Sequence, residues 1–175
     1  MTCRLAMSTL LAASCLVGCG PSQEDIARNL ASLNPAVRED TSKIAKNFGG
    51  EQTEAALVGV LADPIENVRL NAVMSLIDLE AVSAVPFLMA RLEVESSPRV
   101  QREIVDALGR LGDRQAVPTL LAYIEARPEA PPVNAIWALG NLGDPQALEA
   151  LSLLRLSENT YVAYNANVAL RKLQP

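Results

Sequence analysis

Val100-Gln-Arg-Glu-Ile-Val-Asp-Ala-Leu-Gly-Arg-Leu-Gly-Asp113 is the stretch that decides the fold. From Arg99 to Leu108 its apolar residues Val100, Ile104, Ala107 and Leu108, with Leu111 beyond, fall at spacings of three and four, the period of a helix with one buried face. Gly109 and Gly112 supply a helix stop, and Asp113 is placed to cap the next helix. That second helix is expected from about Ala116, with Pro118 in its first turn, where the missing N–H costs nothing. Val117, Leu120, Leu121 and Ile124 form its apolar stripe.

The same pattern returns along the chain. Val68-Arg-Leu-Asn-Ala-Val-Met-Ser-Leu76, Pro131-Pro-Val-Asn-Ala-Ile-Trp-Ala-Leu139 and Val162-Ala-Tyr-Asn-Ala-Asn-Val-Ala-Leu170 align with the first nine residues of the opening stretch. Their final leucines and Leu108 lie 32, 31 and 31 residues apart. Gly140-Asn-Leu-Gly-Asp144 repeats Gly109-Arg-Leu-Gly-Asp113, and Val85, Pro86, Leu88, Met89 and Leu92 repeat the second helix. A degenerate copy runs from Val37 to Phe48, with Phe48 in register with Leu79, Leu111 and Leu142. Self-similarity at a fixed period identifies a solenoid. Each period holds two helical stretches and no β-branched alternation, so the chain is all-α, built of stacked antiparallel helix pairs.

Asp63-Pro64, Val68-Arg69, Ala72 and Leu76, followed by Ala84-Val85-Pro86, Leu88 and Leu92, resemble the HEAT repeat. Ala107-Leu-Gly-Arg-Leu-Gly-Asp113 with Ala116-Val-Pro-Thr-Leu120 is similar to the short subtype named after phycobilisome lyases, which suits a period below the usual ~40–47 residues. The resemblance covers about residues 24 to 173 and implies a right-handed α-solenoid. It places the first helix of each pair on the convex side and the second around a concave groove. It also implies a ladder between the Asp and Arg positions. Asp63 and Arg69 fit that ladder, Glu95 and Gln101 depart from it, and Pro132 and Ala163 have lost the Arg.

The N-terminus reads differently. Arg4 precedes an apolar run from Leu5 that ends in Leu16-Val17-Gly18-Cys19, an export signal too short for an ordinary membrane span. These last four residues resemble the lipobox of bacterial lipoproteins, which implies alkylation of the Cys19 thiol by diacylglycerol, cleavage before Cys19 and acylation of the new amine by a fatty acid such as palmitate. The expected organisation is therefore a signal peptide at 1–18, a lipidated tether at 19–23 and a HEAT-like domain at 24–175. Gly20 stands where aspartate would imply inner-membrane retention in that family. The expected location is thus the cell envelope, at the outer membrane facing the periplasm if the cell is Gram-negative. Cleavage leaves 157 residues, enough for one domain with a core. Loss of Arg4 takes the formal charge from −5 to −6. So acidic a chain argues against nucleic acid and anionic headgroups, which both need basic patches. Attachment is expected through the acyl chains.

Histidine is absent from the whole sequence. That removes Ser-His-Asp and Cys-His catalysis, and with them the histidine-rich iron site that the resemblance would imply for HEAT-like hydroxylases acting on deoxyhypusine. There is no cysteine cluster for zinc and no Walker pattern for phosphate. Neither a metal nor another cofactor is expected, and the chain is read as non-catalytic. Aligning the second helices puts Val60, Arg91, Tyr123 and Leu154 in one column and Ala56, Phe87, Thr119 and Ala150 in the next. Aromatic, aliphatic and arginine side chains on a concave face are types enriched at interfaces. Val60, Phe87, Arg91, Tyr123 and Leu154 are therefore the candidate partner-binding residues, although Phe87 and Leu154 also suit packing between repeats. Trp137, beside Ala138-Leu139, is read as core, and Tyr161 and Tyr164 as a cap on the last helix. The function expected is a membrane-anchored adaptor or scaffold that binds a partner protein in its groove. An envelope structural or assembly factor without a groove ligand is the alternative, and a small-molecule binder or lyase-like enzyme a distant one.

Overall fold

A computed structural model describes residues 20–173. Among them ten α-helices run in order: α1 (Gln23–Leu30), α2 (Pro35–Ile44), α3 (Glu51–Gly59), α4 (Glu66–Asp78), α5 (Val85–Val94), α6 (Pro98–Leu111), α7 (Val117–Glu125), α8 (Val133–Leu142), α9 (Leu148–Leu154) and α10 (Thr160–Leu173). No strand occurs among the described residues. The expected all-α HEAT-like solenoid of helix pairs is the observed architecture. The even-numbered helices α2 to α10 form one row and the odd-numbered helices the other, with the core between them. No helix of the described residues is long and apolar enough to cross a membrane.

Local chemistry sets the helix ends. Ser22 and Asp25 close a capping box on α1: the Ser22 hydroxyl accepts from the Asp25 N–H, and the Asp25 carboxylate accepts from the Ser22 N–H. Asn34 and Ser97 cap α2 and α6, each followed by proline at the first turn. Asp113 and Asp144 accept from Gln115 and Gln146 N–H groups at 2.9 Å, starting the 3₁₀ turns that lead into α7 and α9. Leu76, Leu108 and Leu139 are completely buried at the positions the repeat register assigns them.

Gly109 does not stop its helix. α6 continues through it to Leu111 and ends at Gly112, which takes the left-handed conformation at φ 77°. Gly109 serves packing instead, since a Cβ there would lie 2.6 Å from that of Ala138. Gly140 does the same against Ala169, at 2.8 Å. In the earlier repeat the position of Gly112 is held by Glu80, which is forced to φ 53°. A non-glycine residue there carries strain.

The ladder also differs from its expected form. Arg38 pairs with Asp63 one layer on, and Arg69 pairs with Glu95 by two hydrogen bonds of 2.8 Å. Glu95 thus fills the acid position in spite of its longer side chain. Gln101, where Arg is expected, turns its amide N–H to the Glu95 carbonyl and its oxygen to Tyr123 and Arg127.

Candidate functional site

The two rows pack unequally. In the even row each helix lies directly on the next, with Ser75, Ala107, Ala138 and Ala169 at the contacts and two glycines removing side chains altogether. Beyond α3, the odd helices meet the next layer mainly through the intervening 3₁₀ turns. A stack closely spaced on one side and splayed on the other bends toward the close side. The concave face therefore belongs to α2, α4, α6, α8 and α10, the opposite of what the resemblance implies.

This moves the predicted column to the convex side. Val60 is buried and closes the end of α3. Arg91 is 18% exposed at its side chain and holds Glu95 at 2.7 Å. Tyr123 is half-buried: its hydroxyl donates to Gln101 at 3.2 Å, and the Arg127 guanidinium lies 3.7 Å from its ring centroid. Leu154 is half-buried against the core. Of the five, only Phe87 is mainly exposed. The ladder and the core claim the others, and they do not form one open surface.

The concave face carries a different site. α6 places Glu103 and Asp106, α8 places Asn134 and Trp137, and α10 places Tyr161 along an open cleft of about 390 Å³. Trp137 is 38% exposed, which corrects its assignment to the core, because its ring edge lies over Gly109 where no side chain stands in the way. Tyr161 and Tyr164 are exposed on the last helix, and Tyr161 extends the same aromatic surface. Asn134 donates to the Arg102 carbonyl at 3.2 Å and to Asp106 at 3.3 Å, joining α8 to α6. Burial pushes the Glu103 carboxyl upward and the Asp106 charge adds to it, against the pull of Arg110, Arg99 and Arg102. The repeat alignment contains this site. Asn71, Glu103, Asn134 and Asn165 share one register position, and Met74, Asp106, Trp137 and Val168 share another. Both columns lie on the even row, so assigning the groove to the odd row passes over them.

Residues 85–171 match the family model for HEAT repeats. The complex of CpcE and CpcF of phycocyanin lyase from Nostoc superposes with a TM-score of 0.73 at 24% identity, over 95% of this chain and 70% of that one. An engineered protein superposes at 0.64 and 20% identity, over 86% of this chain and 78% of its own. Together with the layer geometry these establish an all-α HEAT-like solenoid related in fold to the lyase subunits. In sequence the chain is 30% identical to deoxyhypusine hydroxylase of Bos taurus and 28% to that of Homo sapiens, over 71% of this chain and 42% of each relative. The chain spans less than half the length of these relatives.

The expectation of a non-catalytic chain is corrected by this finding. Relatives at about 30% identity over most of the chain bear an enzyme's name, so a repeat scaffold is no ground for denying catalysis. The donor set is a separate matter. With no histidine in the sequence, a histidine-ligated metal centre does not fit this chain. Among the described residues no three His, Cys, Asp or Glu gather as a metal site. The lipidation position Cys19 lies outside the described residues.

Proposed function

We propose that this chain is a HEAT-repeat protein that binds a partner protein on its concave face, over the cleft between α6, α8 and α10. The observation that carries this is the exposed pair Trp137 and Tyr161 beside Glu103 and Asp106, on the face toward which the array bends. Aromatic anchors rimmed by polar groups are the residue types on which interfaces depend. We further propose that Cys19 is acylated and holds the array at a bacterial envelope membrane, as the Leu-Val-Gly-Cys motif implies. A photo-crosslinking side chain installed at Tyr161 in living cells is expected to trap a defined partner, and one at Phe87 on the convex side is not. Equal trapping at both positions overturns the concave assignment. Cys19→Ser is expected to move the protein from the membrane fraction to the soluble one, and unchanged fractionation overturns the anchor.

The name of the sequence relatives favours a second reading, in which the array modifies a substrate. The half-buried carboxylates Glu103 and Asp106 are then the candidate acid–base groups, as a raised carboxyl beside a second one suits proton transfer. Because acid–base groups alone do not hydroxylate, incubation of the purified chain with a deoxyhypusine-bearing protein, ferrous iron and dioxygen tests the relatives' named activity, and Glu103→Gln tests whether the carboxylate takes part. A hydroxylated product supports it, and none retires that activity.

A further inference from the structure

Glu103 is the one half-buried acid among the described residues with neither a cation within 4 Å nor a hydrogen-bond donor, and Asp106 stands one turn away on the same helix. The buried Asp63 and Glu95 are each matched by arginine, half-buried Asp25 and Glu39 pair with Arg28 and Lys43, and half-buried Glu54, Asp113 and Asp144 accept hydrogen bonds from Ser83, Gln115 and Gln146. Among the described residues neither Glu103 nor Asp106 has a cation within 4 Å, and Asp106 receives one amide N–H from Asn134. Arg110 lines the same cleft but bonds to neither. Partial burial of two unpaired like charges is unfavourable for the free protein, and an incoming cation relieves it. Burial and then the Asp106 charge raise the Glu103 carboxyl, and Arg110, Arg99 and Arg102 offset this only in part. Beside these acids lie the open surfaces of Trp137 and Tyr161. Lys172 lies over the indole, its ammonium held by Asn141 at 2.6 Å and 5.8 Å from the ring centroid.

We propose that the cleft between α6, α8 and α10 binds an arginine side chain from a basic segment of a partner protein, with Glu103 and Asp106 pairing the guanidinium and Trp137 and Tyr161 stacking on it. This rests on the protein-binding reading above and gives the partner's chemistry. Arginine fits better than lysine because its planar fork can engage two carboxylates while its face lies on an aromatic ring, and because it sheds water more readily. An acidic partner would meet two unpaired carboxylates on a chain whose formal charge is already −5.

Trp137 is the only tryptophan of the sequence, so its emission reports on this cleft alone. The purified full chain, in mild detergent, is titrated with a capped tetra-arginine peptide and with its uncharged isostere, tetra-citrulline. A saturable change in Trp137 emission is expected with tetra-arginine, and binding at least about tenfold weaker with tetra-citrulline. Glu103→Gln/Asp106→Asn is expected to lose about tenfold or more in affinity. The control Glu125→Gln/Glu149→Gln, which removes as much charge from exposed positions on α7 and α9, is expected to bind like the parent. If the double variant melts early, Glu103→Gln alone serves, with its melting temperature as the check. Equal response to both peptides, or equal loss in the control, overturns the proposal. A partner trapped at Tyr161 without any response to tetra-arginine overturns this inference and leaves the protein-binding reading standing. Tetra-arginine binding with no trapped partner retires the partner reading instead.

Discussion

Replacing Glu95 by glutamine tests whether one buried carboxylate holds three elements of the array together. The Glu95 side chain is fully buried, and it accepts from Arg69 at 2.8 Å, from Arg91 at 2.9 Å and from the Ser97 N–H at 2.8 Å. Burial pushes its carboxyl up, but hydrogen bonds from Arg69, the Ser97 N–H and Arg91 outweigh this and hold it at about 2, against an ordinary 4.5. A carboxyl lowered in the folded state stabilises it above the unfolded value, and that stabilisation is lost as pH falls from about 4.5 to about 2. At ~1.4 kcal/mol per unit the displacement corresponds to about 3 kcal/mol at most. Glutamine keeps the shape and one acceptor but leaves Arg69, 9% exposed at its side chain, without a counter-charge. Breaking a buried pair from one side costs ~3–5 kcal/mol when nothing compensates, so about 2–3 kcal/mol is expected for Glu95→Gln at pH 7. Urea unfolding of parent and variant between pH 7 and pH 2.5 measures the difference, in which the other carboxyls cancel. The gap is expected to close through the acid window. A gap that stays constant with pH, or that widens on acidification, refutes the assignment of stability to the Glu95 charge.

Leu139→Ala is expected to cost about 2–5 kcal/mol, since this leucine is completely buried between layers. Hydrogen exchange should rise first in α6, α8 and α10, because each repeat touches only its neighbours, and an equal rise in α2 would contradict this. Glu80→Gly is expected to stabilise the fold by about 1 kcal/mol, as glycine takes the left-handed conformation without strain. Gly109→Ala is expected to destabilise it by about 1–3 kcal/mol, because the new Cβ would overlap Ala138. Thermal melting ranks this pair, and either sign reversed would refute the packing argument.

The fold was legible because a solenoid writes its architecture once per repeat. Leu76, Leu108 and Leu139 recur in register because every layer must bury the same face, and all three are buried. Asp113 and Asp144 announce their turns for the same reason, since each new helix leaves unpaired N–H groups that a short acid satisfies. Glycine was harder to interpret. Gly109 and Gly112 look alike in sequence, yet one permits helix contact and the other a left-handed turn, and only the neighbouring helix tells them apart. The site was legible in content but misplaced. Glu103, Asp106, Asn134 and Trp137 stand in repeating columns of the even row, while the expected candidates Val60, Arg91, Tyr123 and Leu154 belong to the odd one.

The period, the helix pairs and the buried register were determined by the sequence alone, since these follow from apolar spacing and capping along a continuous stretch of chain. Only the tertiary structure decided which row lies inside the curve. Curvature depends on how closely Gly109 and Gly140 let successive even helices approach, compared with the spacing of the odd ones. It also decided that Glu95 replaces the expected aspartate, because reach across a layer depends on where Arg69 ends as well as on the residue type at one position. Contacts between residues some thirty positions apart have no signature in local periodicity, and the functional face of a solenoid is made of such contacts.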